Sequence, residues 1–215
     1  MNTKSKFIIT INRELGSGGR TVGRKLAEKL GVAYYDKALV KGLQEKYNLT
    51  VEEIEQLKGR EHGWWADVKR TLCGPVADDT FFITKENGDF ARLETEDVFR
   101  AETEILKEIA KDESCVIAGR SGFYVFRDHP NHLSILIQAS MPSRMARVAE
   151  EQNMSKEEAR MTIEKVDQMR ENYINKFART SRYDSRNYQL VLSMDEVTED
   201  EAVALILEYI RMMSK

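Results

Sequence analysis

Short apolar runs recur along the chain and predict the strands of a buried sheet. Four of these runs are rich in Val, Ile and Leu, at residues 7–11, 115–118, 133–137 and 189–192. Residues 32–35 form a fifth, weaker run. Because the runs do not alternate with polar residues, they are typical of parallel strands covered by helices on both faces.

Helical spacing of apolar residues occurs between these runs. Val22, Leu26 and Leu30 recur at four-residue intervals, and Gly31 is a natural C-terminal stop. Capping boxes, in which a hydroxyl and a carboxylate each accept a backbone N–H, predict further helix starts. These pairs are Thr50 with Glu53, Ser155 with Glu158, and Thr198 with Glu201. Strands that alternate with helices predict an α/β fold with a doubly wound parallel sheet.

Two stretches interrupt this alternation, at about residues 40–97 and about 153–186. The first contains Asn87-Gly88, which is a hairpin signal, and the second is charged and helical. In α/β enzymes such insertions form a substrate-binding flap and a closing lid, although ordinary surface decoration is the alternative. We expect residues 1–215 to form one domain.

Composition excludes several classes of protein. With 41% hydrophobic and 32% charged residues, the chain has the make-up of a globular protein. No apolar run approaches the roughly 20 residues that cross a bilayer, and the apolar segment near Met1 is too short for a signal peptide. Cys73 and Cys115 form no disulfide framework or zinc motif, and Cys115 is expected to be a buried thiol. We therefore expect a cytoplasmic protein without a membrane partner.

The charge of the chain is uneven. Its net charge of −3 argues against nonspecific nucleic-acid binding, so no nucleic-acid partner is expected. Between Lys165 and Arg186, however, six cations stand against three carboxylates. This segment favours a small polyanionic ligand, with a solvated helix face as the alternative. The oligomeric state is left open.

A glycine-rich turn, Gly-Ser-Gly-Gly-Arg-Thr at residues 16–21, joins the first predicted strand to the first predicted helix. Glycines let backbone N–H groups converge on an anion, and a helix N-terminus adds partial positive charge. Thr21 is placed where its hydroxyl can reach a magnesium ion on bound phosphates. The turn predicts a phosphate site, and a ligand-free turn is the alternative.

The turn departs from the standard P-loop, GxxxxGK[ST]. Aligned from the strand, Gly19 stands at the lysine position and Arg13 at the first glycine. Shifted by one residue, Gly19-Arg20-Thr21 imitates the end of the motif. The lysine is missing in either alignment, and Arg20 or Arg13 is able to supply its charge.

A second Gly-Arg pair, Gly119-Arg120, follows the strand predicted at 115–118. Ligands of open α/β sheets bind beyond the carboxyl ends of the strands, where Arg120 is able to clamp a phosphate through two N–H groups. A surface arginine is the alternative reading of the same residue.

Four segments together resemble the cytidylate kinase-like family and span most of the chain. They are ITINRELGSGGRTVGRKLAEKLG (9–31), YYDKAL (34–39), VFRAETEILKEIAKDESCVIAGRSGFYVFRD (98–128) and VDQMRENYINKFARTSRYDSRNYQLVLS (166–193). The resemblance implies a P-loop kinase-type three-layer fold with a central parallel sheet, an acceptor-binding flap and a helical lid. It also implies an ATP-dependent phosphotransferase that uses Mg²⁺, with a nucleoside monophosphate as the acceptor.

The resemblance implies site residues position by position. The residues that it implies for binding the donor phosphates are Gly16, Ser17, Gly18, Gly19, Arg20 and Thr21, and Thr21 is also the implied metal ligand. Acceptor binding falls to Asp36, Lys41, Arg100, Gly119, Arg120, Arg179 and Arg182. Catalytic roles fall to Arg20, Arg120, Asp167 and Arg170.

Departures from the family pattern keep other functions open. Cytidylate kinases carry aspartates on both sides of the Gly-Arg pair, where this chain has Ala118 and Ser121, so the base specificity is left open. The missing lysine is also consistent with a catalytically degenerate, nucleotide-binding regulatory module. A further alternative is an interaction protein that uses Trp64-Trp65 as an exposed anchor.

Overall fold

The computed structural model describes residues 1–36, 96–119 and 121–214. Contacts divide the chain into two compact units, Met1–Tyr35 with Ile109–Lys215, and Asp36–Glu108. The hairpin predicted at Asn87-Gly88 and the capping box predicted at Thr50 lie outside the described residues, as does nearly all of the insertion predicted at 40–97.

A five-stranded parallel sheet forms the centre of the first unit. Its strands are β1 (Ile8–Arg13), β2 (Ala33–Tyr35), β3 (Cys115–Ala118), β4 (His132–Gln138) and β5 (Leu190–Ser193). They pair in parallel in the order β2-β3-β1-β4-β5, which confirms the predicted strands and their direction. Because β1 is central, the turn that follows it lies at the middle of the sheet's carboxyl edge.

Helices connect the strands in the described part of the chain. They are α1 (Gly19–Leu30), α2 (Glu96–Asp112), α3 (Gly122–Val125), α4 (Met141–Gln152), α5 (Lys156–Ala178) and α6 (Glu199–Met213), with a 3-10 turn at Ser185–Asn187. Helix α1 ends at Gly31 as predicted, because this glycine adopts a left-handed φ of 65°. The capping boxes of Ser155 and Thr198 both form and begin α5 and α6.

Helices cover both faces of the sheet. On one face Leu26 of α1 and Ile206 of α6 pack with Ile135 of β4. On the other face Ile174 of α5 packs with Leu136 of β4. Neighbouring residues of a strand point to opposite faces, so the apolar run of β4 supplies both cores. This arrangement confirms the three-layer fold expected from the sequence.

Two smaller predictions concern the chain's apolar residues. Cys115 is a buried free thiol on β3, as expected, and Cys73 lies outside the described residues. Within the described ranges, no helix has both the length and the apolar character needed to cross a membrane.

Candidate functional site

The glycine-rich turn between β1 and α1 forms a tight bend at the carboxyl edge of the sheet. Gly16 and Gly18 have left-handed φ angles of 79° and 78°, which residues with a side chain rarely adopt. Ser17 between them is buried. Its hydroxyl and its N–H both donate to the Glu14 carbonyl, at 2.9 and 3.3 Å. These bonds turn the chain back on itself just before the helix begins.

The N-terminus of α1 directs polar backbone groups into this bend. The first helical hydrogen bond runs from the Val22 N–H to the Gly18 carbonyl, at 3.1 Å. The N–H groups of Gly19, Arg20 and Thr21 therefore have no acceptor within the helix. The first turn contains no acidic residue, so nothing in it opposes the helix dipole's attraction for an anion.

Close contacts explain why the two left-handed positions are glycines. A methyl carbon added at Gly16 would lie 2.8 Å from both the Arg144 carbonyl oxygen and Val148 Cγ2. A methyl carbon at Gly18 would lie 2.7 Å from Arg147 Nη1. Helix α4 therefore packs directly against the bend. Larger residues are excluded at Gly16 by the α4 backbone as well as by φ, and at Gly18 by φ and by the Arg147 side chain, which would have to move.

A buried carboxylate ties the bend to the following helices. Asp167 of α5 pairs with Arg144 of α4, with Arg170 at 3.3 Å and with Arg182 at 3.2 Å. The same carboxylate accepts the Leu15 N–H at 3.2 Å. We call Asp167 and its three arginines the Asp167 cluster. One aspartate thus connects three guanidinium groups with the backbone of the loop.

The arginines of the Asp167 cluster also bind the loop backbone directly. Arg144 Nε donates to the Leu15 carbonyl at 2.8 Å. Arg170 donates to the Arg13 carbonyl at 3.4 Å, and Arg182 donates to the same oxygen. Cations from α4, from α5 and from the segment after α5 therefore hold the backbone where β1 passes into the bend.

The lid residues predicted from the sequence occupy different environments. Asp167 and Arg182 are buried, with Arg182 only 1% exposed, and Arg182 also donates to Asn12 Oδ1 at 3.2 Å. The Arg170 side chain is 30% exposed at the same place. Arg179 is an exposed residue at the C-terminus of α5, with a left-handed φ of 53°. The structure therefore brings Asp167, Arg170 and Arg182 to the loop and places Arg179 at the end of the helix.

The residues predicted to bind the acceptor are described only in part. Gly119 follows β3 with a left-handed φ of 83°. Asp36 directly follows β2 and Arg100 is an exposed residue of α2, and both belong to the second unit. Lys41 and Arg120 lie outside the described residues.

Sequence reasoning missed three charged residues beside the bend. Arg144 and Arg147 lie on α4, which follows β4, and Glu199 is the first residue of α6, which follows β5. Arg147 pairs with Glu199 next to Gly18, and this hydrogen bond lowers the pKa of the Glu199 carboxyl. The missed signal was positional, because residues that follow parallel strands meet at one edge of the sheet.

The chain has relatives among known families and solved structures. Residues 8–196 match the profile of the Cytidylate kinase-like family, whereas no curated protein matches the chain. An uncharacterized protein from Eubacterium ventriosum ATCC 27560 is 24% identical, with a TM-score of 0.69 over 96% of this chain and 99% of that chain.

Two further structures are similar at lower identity. Shikimate kinase from Bacteroides thetaiotaomicron is 16% identical, with a TM-score of 0.54 over 96% of this chain and 99% of its own. TT1252 from Thermus thermophilus is 20% identical, with a TM-score of 0.51 over 96% of this chain and 97% of its own. At such identities these structures show that the fold is shared.

Proposed function

The chain belongs to the cytidylate kinase-like family, and on that premise we propose that it transfers the γ-phosphoryl group of ATP to a small phosphate-bearing acceptor. A nucleoside monophosphate is the first acceptor to test. The observation that carries the proposal is the bend at residues 16–21, where two left-handed glycines lead into the N-terminus of α1. A P-loop kinase-type phosphotransferase is what the family and the fold have in common.

The bend suits the phosphates of ATP in shape and in charge. A Cβ at Gly16 would meet the Arg144 carbonyl, Gly18 has a left-handed φ that favours glycine, and the helix start offers N–H groups without helical acceptors. Thr21 in the first turn is a half-buried residue, and its hydroxyl is a hard oxygen ligand of the kind Mg²⁺ prefers. Bound Mg²⁺ would neutralise phosphate charge.

Phosphoryl transfer depends on aligning the two substrates and on placing positive charge around the moving group. In our proposal the bend holds the donor, and Arg20 at the helix start contributes charge. Arg170, which is partly exposed on α5, supplies positive charge from the lid. Asp167 and Arg182 keep the loop in shape from their buried positions. Acceptor binding is assigned from the sequence to Asp36, Lys41, Arg100, Gly119, Arg120 and Arg179.

A transfer assay tests this proposal. The full chain is incubated with ATP, Mg²⁺ and a panel of nucleoside monophosphates, nucleosides and small alcohols, and both ADP and phosphorylated acceptor are measured. We expect transfer to at least one acceptor. Gly16→Ala should lower kcat/KM by at least about 100-fold, because the added methyl meets the Arg144 carbonyl and displaces the phosphate-binding N–H groups.

Gly31→Ala is the matched control. Gly31 is also left-handed, with a φ of 65°, but an added methyl meets no atom within 4 Å. This variant should lose about 1–2 kcal/mol of stability and keep its activity. ATP binding without transfer to any acceptor would favour the regulatory module, for which Gly19 in place of lysine is the motivating observation. A wild type that does not bind ATP would contradict both.

A further inference from the structure

The position that carries lysine in a standard P-loop has no room for a side chain in this protein. In the alignment from the strand this position is Gly19. A methyl carbon there would lie 2.6 Å from Cβ and 3.3 Å from Cγ of Arg13, and 3.2 Å from Ile137 Cβ. The stem of Arg13 therefore occupies the space into which a residue at this position would extend.

The other end of the same side chain reaches the end of β3. A methyl carbon added at Gly119 would overlap Nη1 of Arg13. Gly119 also has a left-handed φ of 83°. Two glycines thus line the path of one side chain, Gly19 beside its stem and Gly119 beside its guanidinium.

The backbone of Arg13 is held on both sides, which directs this side chain. Its N–H donates to Asn12 Oδ1 at 3.0 Å, and its carbonyl accepts hydrogen bonds from Arg170 and Arg182. Arg13 also pairs with Ile137 in the β1–β4 register. With the main chain fixed in this way, the guanidinium lies along the carboxyl edge of the sheet, from α1 towards β3.

We infer that Arg13 supplies the phosphate-binding cation in place of the missing P-loop lysine. The inference rests on the proposed function and assigns the donor-site charge to one residue. Relative to the standard motif, arginine stands at the first glycine position and glycine stands at the lysine position. The side chain of Arg13 occupies the space that a lysine at position 19 would need. A guanidinium stays charged at every physiological pH and binds phosphate through two parallel N–H groups, so it is suited to this role.

The exchange can be reversed by mutation. We compare ATP binding, by calorimetry in the presence of Mg²⁺, for wild type, Arg13→Ala, Arg13→Gly, Gly19→Lys and the double variant Arg13→Gly/Gly19→Lys. Arg13→Ala and Arg13→Gly should weaken ATP binding about 10- to 100-fold, because a charge-assisted contact to phosphate is lost. The double variant should recover most of this loss.

Gly19→Lys alone should unfold at a lower temperature than wild type, because the new side chain meets the stem of Arg13. A merely structural role for Arg13 predicts no recovery in the double variant. Thermal unfolding of each protein identifies variants that do not fold. If the single Arg13 variants are unstable, the double variant must still bind ATP more tightly than Arg13→Gly.

Two results separate this inference from the proposed function. A wild type without ATP affinity would contradict the proposed function itself. A wild type that binds ATP, with Arg13→Ala binding it equally well, would overturn only the assignment of Arg13. Arg20→Ala is measured in the same experiment. If only this variant binds ATP more weakly than wild type, Arg20 and not Arg13 is the phosphate-binding cation.

Discussion

Asp167 brings a single negative charge into contact with three guanidinium groups and one backbone N–H. Removing a carboxylate from water costs several kcal/mol, and only well-placed partners offset that cost. The sequence suggested a catalytic role for Asp167, because it lies in the predicted lid segment. Its position in the sequence did not show that the side chain is buried. In the structure the carboxylate is buried, and it and its arginine partners all bind backbone groups of residues 13–15, which indicates a residue that positions the start of the glycine-rich bend.

Asp167→Asn tests this role. The substitution leaves the buried guanidinium of Arg182 without the Asp167 carboxylate, whereas Arg144 keeps its pair with Glu14 at 3.3 Å. The free energy of unfolding should therefore fall by about 3–5 kcal/mol. ATP affinity should fall as well, because a neutral amide holds the arginines that bind the loop backbone less firmly than the carboxylate does. Urea unfolding and ATP titration measure the two effects.

Glu164→Gln is a control on the same helix. Glu164 pairs with Arg160 at 3.0 Å, but both side chains are about half exposed, at 53% and 54%. Loss of such a pair should change the unfolding free energy by less than about 1 kcal/mol and leave ATP affinity unaltered. If Asp167→Asn behaved like this control, the positioning role would be wrong.

At the scale of an element, helix α5 depends on local contacts for its first turn and on distant contacts for its packing. Its start depends on the Ser155 capping box, which involves residues three positions apart. Its packing depends on distant partners, since Ile163 contacts the cluster that includes Leu15 and Val148. Farther along, Ile174 packs beneath the sheet. Start and packing surface therefore have separate physical causes.

Ser155→Ala should separate these causes. The Ser155 hydroxyl accepts the Glu158 N–H at 3.2 Å, and its loss should cost about 1 kcal/mol of unfolding free energy. ATP affinity should stay the same, because the cap lies about 18 Å along the helix from Asp167. Ser155→Asp, which keeps a capping oxygen, should retain wild-type stability in the same urea titration. A loss of ATP binding in Ser155→Ala would contradict this division.

At the scale of the whole molecule, His132 makes the folding stability depend on pH. His132 begins β4, and its Nε2 lies 2.7 Å from Thr10 Oγ1 on β1. Burial, and then the nearby His129, lower its pKa from 6.5 to about 4. Between these two pH values the unfolded chain binds more protons at this residue than the folded chain does. Stability from this group is therefore complete above about pH 6.5 and is lost as the pH falls towards 4.

His132→Gln should reduce this pH dependence. Protonation of His132 is expected to remove about 3 kcal/mol of unfolding free energy between pH 7 and pH 4 in the wild type, and this contribution is missing in the variant. Urea unfolding of both proteins at several pH values gives the difference between the two curves. Parallel curves would show that His132 does not titrate between these pH values.

The sequence by itself determined the features that depend on neighbouring residues. Runs of branched apolar residues located all five described strands, and the stop at Gly31 and two capping boxes located helix ends. The glycine-rich turn at 16–21 and the family resemblance also followed from the residues alone. These features can be predicted from the sequence because the periodicity of apolar residues, the helix caps and the left-handed glycines each depend on residues only a few positions apart.

Only the tertiary structure decided which charges meet at the loop. Arg144 contacts Leu15 across 129 positions of sequence, and Arg182 contacts Arg13 across 169 positions. The reciprocal fit of Arg13 and Gly19 is likewise a matter of shared space, although both residues were visible in the altered motif. Such distant residues come into contact because parallel strands bring their carboxyl ends to one edge of the sheet. The spacing of residues along the chain does not predict which of them will be buried or paired there.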